Sequence, residues 1–361
     1  MVRLCSIAEV TLPPAPPRFF ASDNFSPVHP RYLEAIAEAN EGHQFAYGGD
    51  PFTKRATEMF RELCGLEVET LFAFGGTGAN VVALSCLLGR AESVLCTSWS
   101  HIHVDETGAP ERFLGAKLAD VAADDAKIRP EHVHAASGAL GNVHHVQPGV
   151  VSITEATELG TLYSVDEIAE ICSVAHSYGM RVHLDGARIA NAVAALGGDA
   201  DTFRRLTFGA GVDAVSFGGT KNGMLNAECV LLRPGLADGR AEHLRKQAAQ
   251  LPSKMRYSAA QFVAALETGL WLETAANANE RAAELFGALS DIESLRLVRP
   301  EVNSLYPIVK RPARTKLQEW CFFWDWDAAN DQVRWMTSWD TTSEDVQLFA
   351  AGVRSCLESQ S

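Results

Sequence analysis

Short apolar runs alternate with amphipathic stretches along the first two-thirds of the chain. Residues 70–74, 93–97, 150–154, 181–184, 212–217 and 229–232 are compact runs rich in Val, Leu and Phe. They predict strands buried on both faces. Between and before them, residues 31–40, 51–64, 79–88 and 165–178 read as helices, with Gly65 placed as the C-cap of the second. Strands and helices in alternation make βαβ units, so the expected fold class is α/β, a mainly parallel sheet with helices on both faces. In open sheets of this kind ligands bind beyond the carboxyl ends of the strands.

The pattern changes at both ends. Pro13, Pro14, Pro16 and Pro17 cannot continue a helix or an interior strand, so residues 1–20 read as an arm lying on the surface. After Ala237, helical patterns at 239–250 and 258–289 are followed by strand-like runs at 304–309, 318–323 and 334–338. The expected organisation is an arm at 1–20, a large domain at 21–250 and a smaller α/β C-terminal domain at 251–361.

Composition narrows the function. With 31 Lys and Arg against 45 Asp and Glu, the net charge is −14, which excludes a nucleic-acid binder that works by bulk positive charge. At 47% hydrophobic and 21% charged residues, the chain can bury a core and does not resemble a disordered one. Eight cysteines at 5, 64, 86, 96, 172, 229, 321 and 356 lack C-x-x-C spacing, so packed thiols are expected and not a zinc ribbon or disulfide scaffold. No apolar stretch approaches the roughly 20 residues of a membrane span, and no leader pattern opens the sequence. The expected location is the cytoplasm.

Three features fall at predicted strand ends. Gly75-Gly76-Thr77-Gly78 carries the chain from a strand into a helix, where backbone N–H groups and the Thr77 hydroxyl can hold a phosphate; such turns also form for steric reasons alone. Asp185, just past a buried strand and before Gly186-Ala187-Arg188, can hold a protonated heterocyclic nitrogen or simply cap the next helix. Lys221, in Gly218-Gly219-Thr220-Lys221-Asn222-Gly223, sits where a desolvated amine acts as a nucleophile toward a carbonyl. An anion cradle, a carboxylate for a ring nitrogen and an amine to form an imine are together what pyridoxal 5′-phosphate (PLP) demands.

The segments Ser22-Asp23-Asn24-Phe25-Ser26, Gly76-Thr77-Gly78-Ala79-Asn80, His183-Leu184-Asp185-Gly186-Ala187-Arg188, Ser216-Phe217-Gly218-Gly219-Thr220-Lys221 and Arg334-Trp335-Met336-Thr337-Ser338 resemble, in register, those of the low-specificity L-threonine aldolases. The resemblance implies a PLP-dependent transferase-like fold type I and cleavage of L-threonine or L-allo-threonine to glycine and acetaldehyde. It also implies site roles. Lys221 would bind the cofactor covalently, Asp185 its ring nitrogen, and Gly76, Thr77 and Gly78 its phosphate. His101 would stack on the ring, and Ser22, Arg188 and Arg334 would surround the substrate carboxylate. Lys254 and Arg256 would lie near the phosphate, reaching in from a neighbouring subunit, and Tyr47 would line the site from a partner or anchor a loop. The family forms homodimers or homotetramers with shared active sites. One departure is Glu158, which stands where many members carry a second active-site histidine, and it competes with His101 to handle the β-hydroxyl proton.

Other readings stay open at this level. Within the PLP class they are a phenylserine aldolase and a β-eliminating amino-acid lyase. From another class comes a metal-dependent hydrolase, since His101, His103, His183 and Asp185 could form a cluster of nitrogen and oxygen donors. A non-catalytic PLP-fold scaffold would lack Lys221 or Asp185, and both are present.

Overall fold

The computed structural model describes residues 12–358. They divide into two compact units, Pro27–Ala276 and a second that joins the chain up to Ser26 with the chain from Asn277 onward.

The larger unit is built on seven strands: β1 (Glu69–Ala73), β2 (Glu92–Thr97), β3 (Lys117–Val121), β4 (Gln147–Thr154), β5 (Arg181–Gly186), β6 (Ala214–Gly218) and β7 (Glu228–Leu232). Their order across the sheet is β1-β7-β6-β5-β4-β2-β3. Only β7 runs against its neighbours. The others point the same way, so their carboxyl ends share one edge, as the α/β pattern predicts. β6 and β7 are buried throughout. Phe60, Phe72, Phe217 and Phe262 pack edge-on and tilted together on one side of the sheet, with ring centroids 5.2–6.4 Å apart.

Helix Pro51–Cys64 has the expected ends, because three local signals agree. Asp50 accepts a hydrogen bond from the Thr53 N–H at 2.8 Å, proline occupies the first turn, and Gly65 takes the left-handed conformation at φ 70°. Helix Gly76–Leu87 begins earlier than the apolar run suggests, directly out of the glycine turn. The helical stretch expected at 258–289 is two helices, Arg256–Thr268 and Leu270–Leu289, separated by Gly269 at φ 74°. β3 escaped the sequence reading because it is an edge strand whose residues are only partly covered.

The smaller unit holds an antiparallel sheet in the order β8-β10-β9, formed by β8 (Ser304–Leu305), β9 (Trp324–Asp327) and β10 (Gln332–Met336). The first half of the run at 318–323, expected as a strand, belongs to helix Ala313–Trp320, and the rest leads into β9. Buried Ala313, Leu317 and Cys321 recur every four residues, and that period decides it.

Two expected boundaries move. Helix Arg256–Thr268 packs on helices Pro30–Glu38 and Pro51–Cys64, so the large unit extends to Ala276 and does not stop at 250. Residues 1–11 of the expected arm lie outside the described residues, and the rest is more than a surface strap. Phe20 is buried and stacks on Phe349 with centroids 4.2 Å apart, Trp320 donates to the Pro13 carbonyl at 2.7 Å, and Arg18 pairs with Asp340 and Asp345. The apolar pair Phe19-Phe20 supplied a burial signal that the prolines masked. Among the described residues all seven cysteines are buried free thiols, and no helix is long and apolar enough to cross a membrane.

Candidate active site

The carboxyl edge of the large sheet opens into a cleft. β1 delivers the glycine turn, β2 leads to His101, β4 to Glu158, β5 carries Asp185 next to its last residue, and β6 leads to Lys221. Two glycines let β5 and β6 approach closely. A Cβ on Gly186 would stand 2.8 Å from the Ser216 carbonyl, and one on Gly218 would stand 2.6 Å from that of Ala187. Any side chain there would drive the Lys221 turn away from Asp185.

Asp185 is 4% exposed. Its Oδ2 accepts from Asn80 Nδ2 at 2.8 Å and its Oδ1 from the Ala187 N–H at 3.0 Å, so it is both a turn-former and a carboxylate facing the cleft. Burial works against its ionisation, but His101, His183, Lys221 and the Ala187 N–H outweigh it and hold the carboxyl below its ordinary range. Asn80 Nδ2 also donates to Glu106 Oε1 at 2.9 Å, and the same oxygen lies 2.9 Å from His101 Nδ1. A continuous chain thus links His101, Glu106, Asn80 and Asp185. Burial would lower the His101 pKa, but the Glu106 hydrogen bond and the charges of Asp185 and Glu106 raise it overall, despite the opposing charge of Lys221.

Glu158 Oε1 accepts from the His101 N–H and from Thr154 Oγ1, both at 2.8 Å. Burial pushes its carboxyl up to about 7, with the Asp185 charge adding to the rise and these hydrogen bonds only partly offsetting it. Beneath the cleft floor His183 is fully buried, with Nδ1 2.9 Å from Ser152 Oγ and Nε2 2.9 Å from Ser216 Oγ. Burial lowers its pKa to about 4.

The donor set expected for a metal hydrolase does not form. Both ring nitrogens of His183 are taken by serines, and His103 is an exposed side chain 3.9 Å from Asp120. Among the described residues no group of three or more His, Cys, Asp and Glu is placed to hold a metal ion.

The residues do fit PLP. A Cβ on Gly75 or Gly76 would meet nothing within 4 Å, which leaves an open cradle over the helix N-terminus. Helix geometry leaves the N–H groups of Gly76, Thr77 and Gly78 without intrahelical partners. Gly78 has a packing duty as well, since a Cβ there would strike the Gln250 side chain that caps the Phe74 N–H. An ionised acid and a lysine face the cleft with the cradle. Asn80 Oδ1 and Glu106 Oε2 are shielded acceptors without hydrogen-bond partners among the described residues.

Arg188 lines the cleft. Lys254 and Arg256 border a separate groove with Phe45, which is 83% exposed. Arg256 donates to the Gly42 carbonyl at 3.1 Å, and exposed Tyr47 is tied to Ser253 by a backbone bond of 3.0 Å. In the smaller unit, Ser22 caps a single turn by accepting the Asn24 N–H at 3.2 Å. There too, Arg334 donates to the Ala21 carbonyl at 3.1 Å and lies 4.8 Å from the centroid of Trp326.

Asn80 and Glu106 carried no expected role, although each left a signal. Asn80 is a lone amide in an otherwise apolar helix, and Glu106 follows His101 at a distance one helical turn can close.

This fold and this site define a PLP-dependent enzyme of fold type I. The sequence signature of the beta-eliminating lyases matches residues 20–311. A low-specificity L-threonine aldolase of a Pseudomonas species is 39% identical over 94% of this chain and 98% of that protein, and one from Pseudomonas aeruginosa is 39% identical over 93% and 96%. A threonine aldolase structure from Leishmania major superposes with a TM-score of 0.85 at 28% identity, covering 95% of this chain and 99% of that one. An aspartate aminotransferase from Rhodobacter sphaeroides, at TM-score 0.70 and 18% identity, shares the fold. The chain belongs to the beta-eliminating lyase family, among its low-specificity L-threonine aldolases.

Proposed function

We infer that the protein is a PLP-dependent aldehyde-lyase that cleaves the Cα–Cβ bond of L-threonine and related β-hydroxy-α-amino acids, giving glycine and an aldehyde. The observation that carries this reading is the meeting of a lysine, an ionised acid and a glycine-lined helix N-terminus in one cleft. The test supplies L-threonine to the PLP-loaded enzyme. Glycine and acetaldehyde in equal amounts are expected, whereas ammonia and a keto acid would mark an eliminating lyase.

When bound, PLP supplies a protonated ring that draws off the electron pair of the breaking Cα–Cβ bond. Lys221 would hold the cofactor's aldehyde carbon through Nζ. The N–H groups of Gly76, Thr77 and Gly78 would hold its phosphate, and Asp185 would hold the proton on its ring nitrogen. His101 would lie against the ring, its pKa raised by Glu106.

Arg188 binds the substrate carboxylate, a role that the resemblance also gives to Ser22 and Arg334. Charge-assisted hydrogen bonds of this kind are worth about 1.5–3 kcal/mol each. Arg334→Ala is therefore expected to lower kcat/KM by about 10- to 100-fold. An unchanged value in steady-state assays would remove Arg334 from that role.

Glu158 accepts the β-hydroxyl proton. The acidic neighbours of His101 raise its pKa, and a Glu158 carboxyl near 7 is poised to exchange a proton at neutral pH. The carboxyl is protonated below about 7 and ionised above it, so activity rises with pH through that value. A kcat/KM profile of Glu158→Gln is expected to lose this limb and fall about 100-fold or more. A limb that persists at the same pH would assign the base elsewhere.

We further propose a homodimer or homotetramer with shared sites. Exposed Phe45 and Tyr47, set beside Lys254 and Arg256 away from the cleft, support this. Buried free thiols are in keeping with a cytoplasmic setting.

A further inference from the structure

Glu228 opens β7, is 6% exposed, and has no part in the chemistry above. Its Oε1 accepts the Thr220 N–H at 3.3 Å. The Thr220 hydroxyl in turn accepts the Ala227 N–H at 3.2 Å, and Gly219 donates to the Ala227 carbonyl at 3.0 Å. On the other side, Asn222 Nδ2 donates to the Trp271 carbonyl at 2.7 Å. The single turn Thr220–Asn222, which carries Lys221, is therefore pinned at both ends.

An apolar side chain would fill this position without the cost of burying an acid. The charged and titratable groups that bear on Glu228 are Lys221, whose charge favours the carboxylate, and Cys229, whose buried thiol is pushed up. Lys221 is itself felt by His101 and Asp185. Burial brings the Glu228 carboxyl up to about 7.

We propose that Glu228 is the positioning residue of Lys221: it fixes the turn that aims the amine, and its charge sustains positive charge at Nζ. This rests on Lys221 as the point of cofactor attachment.

The test follows the visible absorbance of the PLP-loaded enzyme against pH in the wild type and in Glu228→Gln, whose amide oxygen can still accept the Thr220 N–H. A carboxylate favours the protonated form of the lysine–cofactor link. Its removal is therefore expected to move the midpoint to lower pH by about one unit. Coincident midpoints would reduce Glu228 to a strut and overturn the proposal. Should the Gln variant fail to fold, infrared titration of the unmodified protein with 13C-labelled glutamate decides. The Glu228 carboxyl is expected to titrate at lower pH in that protein than in Lys221→Ala, where the neighbouring charge is gone, and an unchanged midpoint contradicts the claim. A Lys221→Ala protein that keeps the visible band would instead break the underlying attachment reading.

Discussion

Lys221→Ala protein is expected to lose steady turnover of L-threonine by at least about 10⁴-fold, the upper end of what one positioned acid–base group contributes. The magnitude follows from the double duty assigned to Nζ, which binds the cofactor and recovers it after each cycle. No second lysine borders the cleft to take over among its lining residues. Lys221 stands on a short turn fixed from both sides by Thr220 and Asn222, and the substitution removes none of those bonds. The variant should therefore fold, with its thermal unfolding little changed, and should lack the visible absorbance of a lysine-bound cofactor. Steady-state assays beside a spectrum check both points. Normal turnover would show that the chemistry does not run through this residue.

Asp185→Asn should cost about 10³-fold in kcat with the fold retained. Breaking a buried pair of charges costs about 3–5 kcal/mol, and about 4 kcal/mol corresponds to roughly a thousandfold in rate. The amide keeps the shape of the carboxyl but can accept only one of its two hydrogen bonds, from Asn80 Nδ2 or from the Ala187 N–H. What goes is the negative charge that His101, His183, Lys221 and the Ala187 N–H sustain in a buried setting. Without it the ring nitrogen loses its proton and the electron sink weakens. A kcat within about tenfold of wild type in saturating substrate would mean that Asp185 serves only as a turn-former.

The parts of this molecule that the sequence discloses are those with local causes. Helix Pro51–Cys64 is legible to the residue because its cap, its proline and its terminating glycine lie beside each other in the chain. The strands of the buried sheet announce themselves because burial on both faces forces continuous apolar runs, as in β6 and β7. Lys221, Asp185 and the glycine turn can be read as a set because a parallel sheet brings its carboxyl ends to one edge whatever the detail of packing.

What stayed hidden depends on partners distant in sequence. β3 is polar enough to pass for a loop because an edge strand is covered on fewer sides. Phe20 belongs to a core whose other members lie more than two hundred residues away. The link from His101 through Glu106 and Asn80 to Asp185 joins three separate segments, and no spacing rule anticipates it. Glu228 is similar: an acid that opens an apolar strand is visible in the sequence, but its hold on Thr220 is a product of the fold.

The most direct measurement is reduction of the PLP-loaded enzyme with borohydride, followed by mass mapping of its peptides. A single phosphopyridoxyl group on Lys221 is the predicted result. A group found on any other lysine, or none retained after reduction, would contradict it.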